Sequence, residues 1–276
     1  GGIYVLVAIG LTLIYGVLHI INFAHGSLLM IGMYGVYFLL ERAKVSPYAS
    51  LAIMIPGMFV FGYCLYRFVI GRFAHGKDEN ILLITLGIAI ILDNLALYFF
   101  TGDTRTIDIP AANTMVSLVV TMVPATKVIS FVASLALCGA LALVILKTDL
   151  GRAIRAVAKE RMGARLVGID VDHVFAMSYA IGIACLGAAA CLLLPTFYVS
   201  PTVGNAFVIV AFTIVVLGGM GSFIGALVGG LLIGIVESVG GLLLGESLGQ
   251  IGISLIFILI LLFRPSGLFG SMGAAR

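Results

Sequence analysis

Asn22, His25, Asp93, Asn94 and Glu237 are polar or ionisable side chains set in long apolar runs. A charge at the centre of a bilayer costs about 2.5–3.5 kcal/mol on insertion scales, so each such group must face a cavity or a partner. Two readings of Asp93 and Glu237 stand open on these grounds. They line a pathway for a zwitterionic solute, or they are carboxyls hydrogen-bonded inside a helical bundle. His19, Asn22 and His25 fall together where the first apolar run is interrupted. Polar groups at such a break either line a water-filled path or re-satisfy freed backbone groups. His19 and His25 are six residues apart, off one helical face, so no metal site is expected.

Enzymatic chemistry has no comparable support. HExxH and CxxCH motifs do not occur in the sequence. Gly71-Arg72-Phe73-Ala74-His75-Gly76-Lys77-Asp78 approaches the phosphate-binding pattern GxxxxGK[ST], but Asp78 stands where the hydroxyl for Mg²⁺ is required. Cys64, Cys138, Cys185 and Cys191 lie in apolar runs without CxxC spacing and read as small buried hydrophobes. No cofactor is expected on this chain.

The elements that position these residues follow from composition. Of 276 residues, 62% are hydrophobic and 10% charged, where a soluble domain carries about 25% charged. Mean hydropathy is +1.25. So few polar side chains cannot cover a soluble fold, and continuous apolar runs exclude a membrane barrel, whose strands alternate. The fold class expected is all-α: a polytopic helical membrane bundle of about eight to nine spans with two broken or re-entrant segments. Candidate spans are 3–19, 26–40, 48–66, 80–100, 126–146, 173–194, 204–218, 222–244 and 249–263. One break is His19–Ser27 and the other Gly218–Ser222. Paired broken segments in opposite halves point to a transporter with a central site. The N-terminus shows no signal peptide, and the lack of an initial Met suggests that a preceding segment is missing.

Charge is concentrated. Ten charged residues lie between Lys147 and Asp172, six of them basic, whereas 1–40 has none. By the positive-inside rule this loop is cytoplasmic, which gives an N-out, C-in topology. A net charge of +3 is too mild to suggest nucleic acid. At helical spacing Arg152, Arg155 and Lys159 share one face, and Ile154, Val157 and Ala158 another. The stretch reads as an ordinary positive-inside surface loop, or as a short amphipathic helix ending at Gly168 that lies on the membrane surface or docks in a partner's groove. Farther on, Gly221, Gly225 and Gly229 recur every four residues, as do Ala226, Gly230 and Gly234. Such small-residue stripes, with Gly218 and Gly219 beside them, let helices approach closely, within the chain or between subunits.

Several segments together resemble one family. Gly151-Arg152-Ala153-Ile154-Arg155-Ala156-Val157-Ala158, followed by Ala164-Arg165-Leu166-Val167-Gly168-Ile169-Asp170-Val171-Asp172, is similar to the coupling loop of prokaryotic ABC importer permeases of the branched-chain amino acid family. Gly10–Val17, Ile21–Gly26, Val216–Ser222 with Gly225, and Arg264–Gly270 resemble further motifs of that family, in family order. The resemblance spans nearly the whole chain and is to the shorter of two paralogous permease types. Asp93 departs from it, since members often carry an uncharged amide before Asn94.

The resemblance implies a single transmembrane permease domain over 1–276 in the prokaryotic plasma membrane, with 147–172 as the coupling loop. Arg152, Ile154, Arg155, Val157, Ala158, Lys159, Arg161, Arg165 and Gly168 would then couple to ATPase subunits. Asn22, His25, Asp93, Asn94 and Glu237 would line the pathway, and Gly218, Gly219, Gly221, Gly225 and Gly229 would pack helices. Expected partners are a paralogous permease (a homodimer being the other form), two cytosolic ABC ATPases carrying ATP and Mg²⁺, an extracytoplasmic solute-binding protein and membrane lipid. The alternative is a secondary transporter or channel driven by an ion gradient, which has no need of a docking helix.

Overall fold

The computed structural model describes residues 1–73, 78–107, 114–118, 121–244, 246–263 and 267–269. Helices occupy all nine apolar segments. They are α1 (Gly2–Leu18), α2 (His25–Ala43), α3 (Leu51–Leu65), α5 (Asp78–Phe100), α6 (Ala125–Lys147), α9 (Val171–Leu193), α10 (Val203–Gly218), α11 (Phe223–Leu244) and α12 (Glu246–Phe263). A π-helical turn, Tyr66–Ile70, and α4 (Gly71–Phe73) continue α3 without a break. The basic loop holds α7 (Asp149–Lys159) and α8 (Arg161–Leu166). A short antiparallel hairpin, β1 (Met115–Leu118) with β2 (Thr121–Pro124), is the departure from a purely helical chain among the described residues.

Among the described residues, five helices are long and apolar enough to cross a membrane: Leu51–Phe73, Glu79–Phe100, Ala125–Lys147, Val171–Leu193 and Phe223–Leu242. Burial sorts them. In α9, 89% of the most apolar stretch is inside the protein, against 17% in α6. A helix that is apolar all round and buried all round is a central helix, and one that is apolar but uncovered faces lipid or another subunit. α1, α2, α3 and α6 all pack on α9, and α1 also meets α10, α11 and α7. The core is therefore a pair of helices, α1 and α9, with the others arranged around them.

Their contact depends on small residues. A methyl group at Gly10 would lie 2.7 Å from the Gly182 carbonyl oxygen, and one at Gly182 would lie 2.8 Å from the Gly10 oxygen. Dispersion packing, rather than water exclusion, drives helix association in lipid, so backbone approach of this kind substitutes for a hydrophobic core. Two loops are tied where Arg105 and Val199 exchange backbone hydrogen bonds of 2.9 and 2.8 Å.

Candidate functional site

The first break begins where α1 stops. His19 adopts a left-handed conformation (φ 59°) and its N–H bonds the Tyr15 carbonyl, closing the last turn as a helix terminus requires. Asn22 then organises the return. Its Oδ1 accepts from the Ala24 N–H at 3.1 Å, and its Nδ2 donates to the Tyr179 hydroxyl of α9 at 3.1 Å. Three residues on, His25 opens α2 fully buried, with Nε2 3.0 Å from the Val7 carbonyl oxygen of α1. A carbonyl only accepts, so Nε2 carries the proton here and Nδ1 is an acceptor. That Nδ1 and the Thr12 hydroxyl are buried without a hydrogen-bond partner. Asn22, His25 and Tyr179 thus form a polar cluster at the meeting of α1, α2 and α9, whereas Thr12 lies on the side of α1 turned toward α6 and α11.

The second break is a glycine turn. Gly219 (φ 96°) and Gly221 (φ 86°) take backbone conformations that L side chains rarely adopt, and the Ser222 hydroxyl caps α11 by accepting from Gly225 N–H at 3.1 Å. Gly218 and Gly225 touch backbone to backbone. Gly225 and Gly229 face α10, while Gly230 lies against Val5 of α1 and Gly234 against Gly1. The two small-residue stripes therefore serve two neighbours within the chain. Residues 267–269 strap this turn, with Leu268 N–H on the Leu217 carbonyl at 2.7 Å and Phe269 N–H on the Gly218 carbonyl at 3.1 Å. Arg264, Pro265, Ser266 and Gly270 lie outside the described residues, as do residues 74–77 of the phosphate-loop-like stretch. Gly221 packs on Gly16 near the end of α1, so the two breaks are adjacent.

The basic loop sits on both breaks. Thr148 caps α7 by accepting from Gly151 N–H at 3.1 Å, and Glu160 opens α8 by accepting from Met162 N–H at 3.1 Å. Asp149 in the first turn and Lys159 in the last suit the helix dipole. Arg152 is exposed and pairs with Asp149, and Arg155 donates to the Ile145 carbonyl. Arg161 reaches back to α1. Its Nη2 donates to the Leu18 carbonyl at 2.6 Å, lies 3.4 Å from His19 Nδ1, and its guanidinium covers the Phe175 ring at 5.2 Å. Gly168 (φ 86°) ends the segment, and its N–H bonds the Arg165 carbonyl at 3.0 Å.

A family model described as "Branched-chain amino acid transport system / permease component" matches residues 1–263. The chain belongs to this permease family. It is 32% identical to the high-affinity branched-chain amino acid transport system permease protein BraD of Pseudomonas aeruginosa, covering 98% of this chain and 92% of the relative. It is 31% identical to the corresponding protein LivH of Escherichia coli, with the same coverage. A probable branched-chain amino acid transport permease protein LivH of Methanocaldococcus jannaschii is 31% identical over 96% of this chain and 88% of the relative. No solved structure matches the chain.

Placement of the expected residues in the permease is uneven. Asn22 and His25 share one buried cluster. Asp93 and Asn94 do not join it. They sit on α5, which packs mainly on α2, and Asn94 is exposed with its Nδ2 on the Ile90 carbonyl at 2.8 Å. Glu237 is half-buried on α11 and accepts 2.7 Å from the Tyr4 hydroxyl. One expectation needs correction. The two open readings of this helix put the apolar side of α7 on the membrane surface or in a partner's groove, yet Ile154 is 3% and Val157 0% exposed. They seat α7 on the permease itself, because the nearest apolar surface is its own α1, α6 and α9. The apolar side chains turned outward are Met162, Leu166 and Val167, at 65%, 81% and 76% exposure. Tyr179, Tyr4 and Thr12 were not anticipated. A hydroxyl within an apolar helix is the signal that marks them, at lower contrast than a carboxylate or histidine.

Proposed function

We propose that this permease forms one half of a membrane pathway for branched-chain amino acids, and that ATP hydrolysis on separate subunits drives it. The observation that carries the reading is the family match over residues 1–263, with relatives of the same printed function covering 98% of the chain. A second permease, paralogous or identical, completes the pathway. Two cytosolic ATPases and an extracytoplasmic binding protein complete the importer.

The mechanism follows from the loop. Met162, Leu166 and Val167 offer an outward apolar ridge on α8, with Arg165 exposed beside it. Such a ridge inserts into an ATPase groove in the helix-in-groove manner. Closure of the ATPases changes that groove, and only contacts that differ between the two states bias the permease between them. Arg161 carries the displacement from α8 to the end of α1 and to α9 through Leu18 and Phe175. The adjoining break then shifts Asn22 and His25, two members of the buried cluster. The acceptor Nδ1 of His25, left without a partner inside the protein, is the group that a passing ammonium would meet.

The test is reconstitution of the permease with its co-purifying subunits. ATP-dependent uptake of leucine, isoleucine or valine is the expected result. Uptake that persists without any ATPase, and collapses with the proton gradient, would overturn the proposal.

A further inference from the structure

Two spaces meet beside the second break. The first, about 490 Å³, is lined by Tyr15, His19, Arg155, Lys159 and the Met220–Gly221 turn. The second, about 340 Å³, is mostly apolar and lies between α6 and α11 with α1 as its floor. Gly16, Arg155, Ala158 and Gly221 border both. Its floor is Leu13 and Val17, and its rim carries Leu146 and Ile224, which are 63% and 66% exposed. Both rim helices, α6 and α11, are of the uncovered kind, with 17% and 33% of their apolar stretches buried.

We propose that an anionic phospholipid occupies this pair of spaces, its acyl chain in the cleft between α6 and α11 and its phosphate beside Arg155 and Lys159. Three observations select this occupant. None of the residues lining either space is acidic, so the two cations face a negative group without competition. The apolar space opens from the membrane-exposed side of two helices, where acyl chains are the solvent. The polar space lies at the level of the basic loop, where headgroups of that leaflet sit. Basic pockets between spanning helices at this depth are a recurrent form of lipid headgroup site. A soluble phosphate would satisfy the cations but leave the apolar cleft unfilled, and a neutral lipid would fill the cleft but leave Arg155 and Lys159 without a countercharge.

The site also touches both breaks and α7 at once. A bound lipid therefore braces the joint through which the coupling loop acts, and its headgroup charge would set how firmly α7 holds the second break.

Native mass spectrometry of the full permease, with the subunits that co-purify, provides the test. Phosphatidylglycerol and phosphatidylcholine with identical chains are titrated into detergent micelles. The expected result is one retained phosphatidylglycerol per permease, with phosphatidylcholine retained at least about tenfold less. Lys159→Gln, at an exposed position that should not disturb folding, is expected to lower retention about fivefold, as removal of one near-surface cation implies. Arg155→Gln is expected to do the same, and Ile224→Trp to weaken retention by filling the cleft without altering charge. Equal retention of the two lipids, unchanged retention in Lys159→Gln, or displacement by millimolar inorganic phosphate would each overturn the proposal. A photoreactive benzophenone side chain at Ile224 gives an independent arm in the intact complex. Cross-linking to lipid supports the site, and cross-linking to a second permease copy overturns it.

Discussion

The Arg161 guanidinium binds the main-chain oxygen of Leu18 at 2.6 Å, joining the basic loop to the end of α1 across 143 residues of sequence. The carbonyls of a final helical turn have no intrahelical partner, so a cation there satisfies an orphan acceptor and complements the dipole. The same guanidinium covers Phe175, so one side chain pins α8 to two helices. Lysine cannot reproduce this, since it lacks the planar fork and stacks poorly.

Arg161→Lys is therefore expected to uncouple rather than unfold. Coupling free energies of 1–3 kcal/mol correspond to about 5–150-fold, and a single partly exposed contact belongs at the low end. The amino acid transported per ATP hydrolysed should fall by about fivefold in proteoliposomes, while ATP hydrolysis continues. An unchanged ratio would remove Arg161 from the transmission path.

The buried pair Asn22 and Tyr179 gives a stability prediction with a stated size. Tyr179→Phe leaves the Asn22 amide without its partner at 3.1 Å. An unsatisfied buried donor costs about 1–3 kcal/mol in soluble proteins, whereas interhelical hydrogen bonds in membranes average about 0.6 kcal/mol, because the unfolded state in lipid also finds partners. The membrane figure governs here, so a loss of about 0.6 kcal/mol is expected by thermal unfolding in detergent. Adding Asn22→Leu should cost less than the sum of the two single changes, as for any pair that interacts.

Much of the architecture was legible in the sequence, for a physical reason. Lipid tolerates only segments whose backbone is internally satisfied, so each apolar run had to be a helix, and the polar interruptions at His19–Ser27 and Gly218–Ser222 had to be breaks. Sequence periodicity also put Ile154 and Val157 on one face of α7. It could not say which surface that face would meet, because a face buried on the chain's own helices and a face offered to a partner have the same pattern. The outward role of Met162, Leu166 and Val167 was hidden for the same reason. Asn22 was visible as a polar residue at a break, but its partner Tyr179 is 157 residues away, and no local pattern encodes that distance. Asp93 stood out by charge alone, and the structure sets it apart from the buried cluster.

The glycine ladder makes a prediction by contrast. A methyl group at Gly225 would collide with the Gly218 backbone, which cannot yield as a side chain can, whereas one at Gly241 meets nothing within 4 Å. Both residues lie in α11, so helix propensity favours alanine at each by about 1 kcal/mol. Gly241→Ala should be neutral to mildly stabilising, and Gly225→Ala should destabilise by about 1–3 kcal/mol, the usual cost of overpacking. Detergent melting temperatures of the two variants check this. Equal behaviour would show that α10 and α11 can separate at no cost.

Glu237 allows its two readings to be told apart by substitution. Its Oε1 accepts 2.7 Å from the Tyr4 hydroxyl, linking α11 to α1 beside the glycine contacts that already join them. If this bond is the whole role, Glu237→Gln keeps an oxygen for Tyr4 to donate to, and both assembly and uptake persist. Tyr4→Phe and Glu237→Leu would then each cost about 0.6 kcal/mol, the average for such bonds in membranes, and uptake would fall only in step with stability. If the carboxylate instead serves the solute, Glu237→Gln should reduce leucine uptake about tenfold at unchanged melting temperature, while Tyr4→Phe leaves a competent acceptor in place and costs little transport. The geometry favours the first outcome, because the carboxylate is half-buried and already engaged by a donor on the neighbouring helix. Parallel uptake and melting measurements on the three variants decide between them.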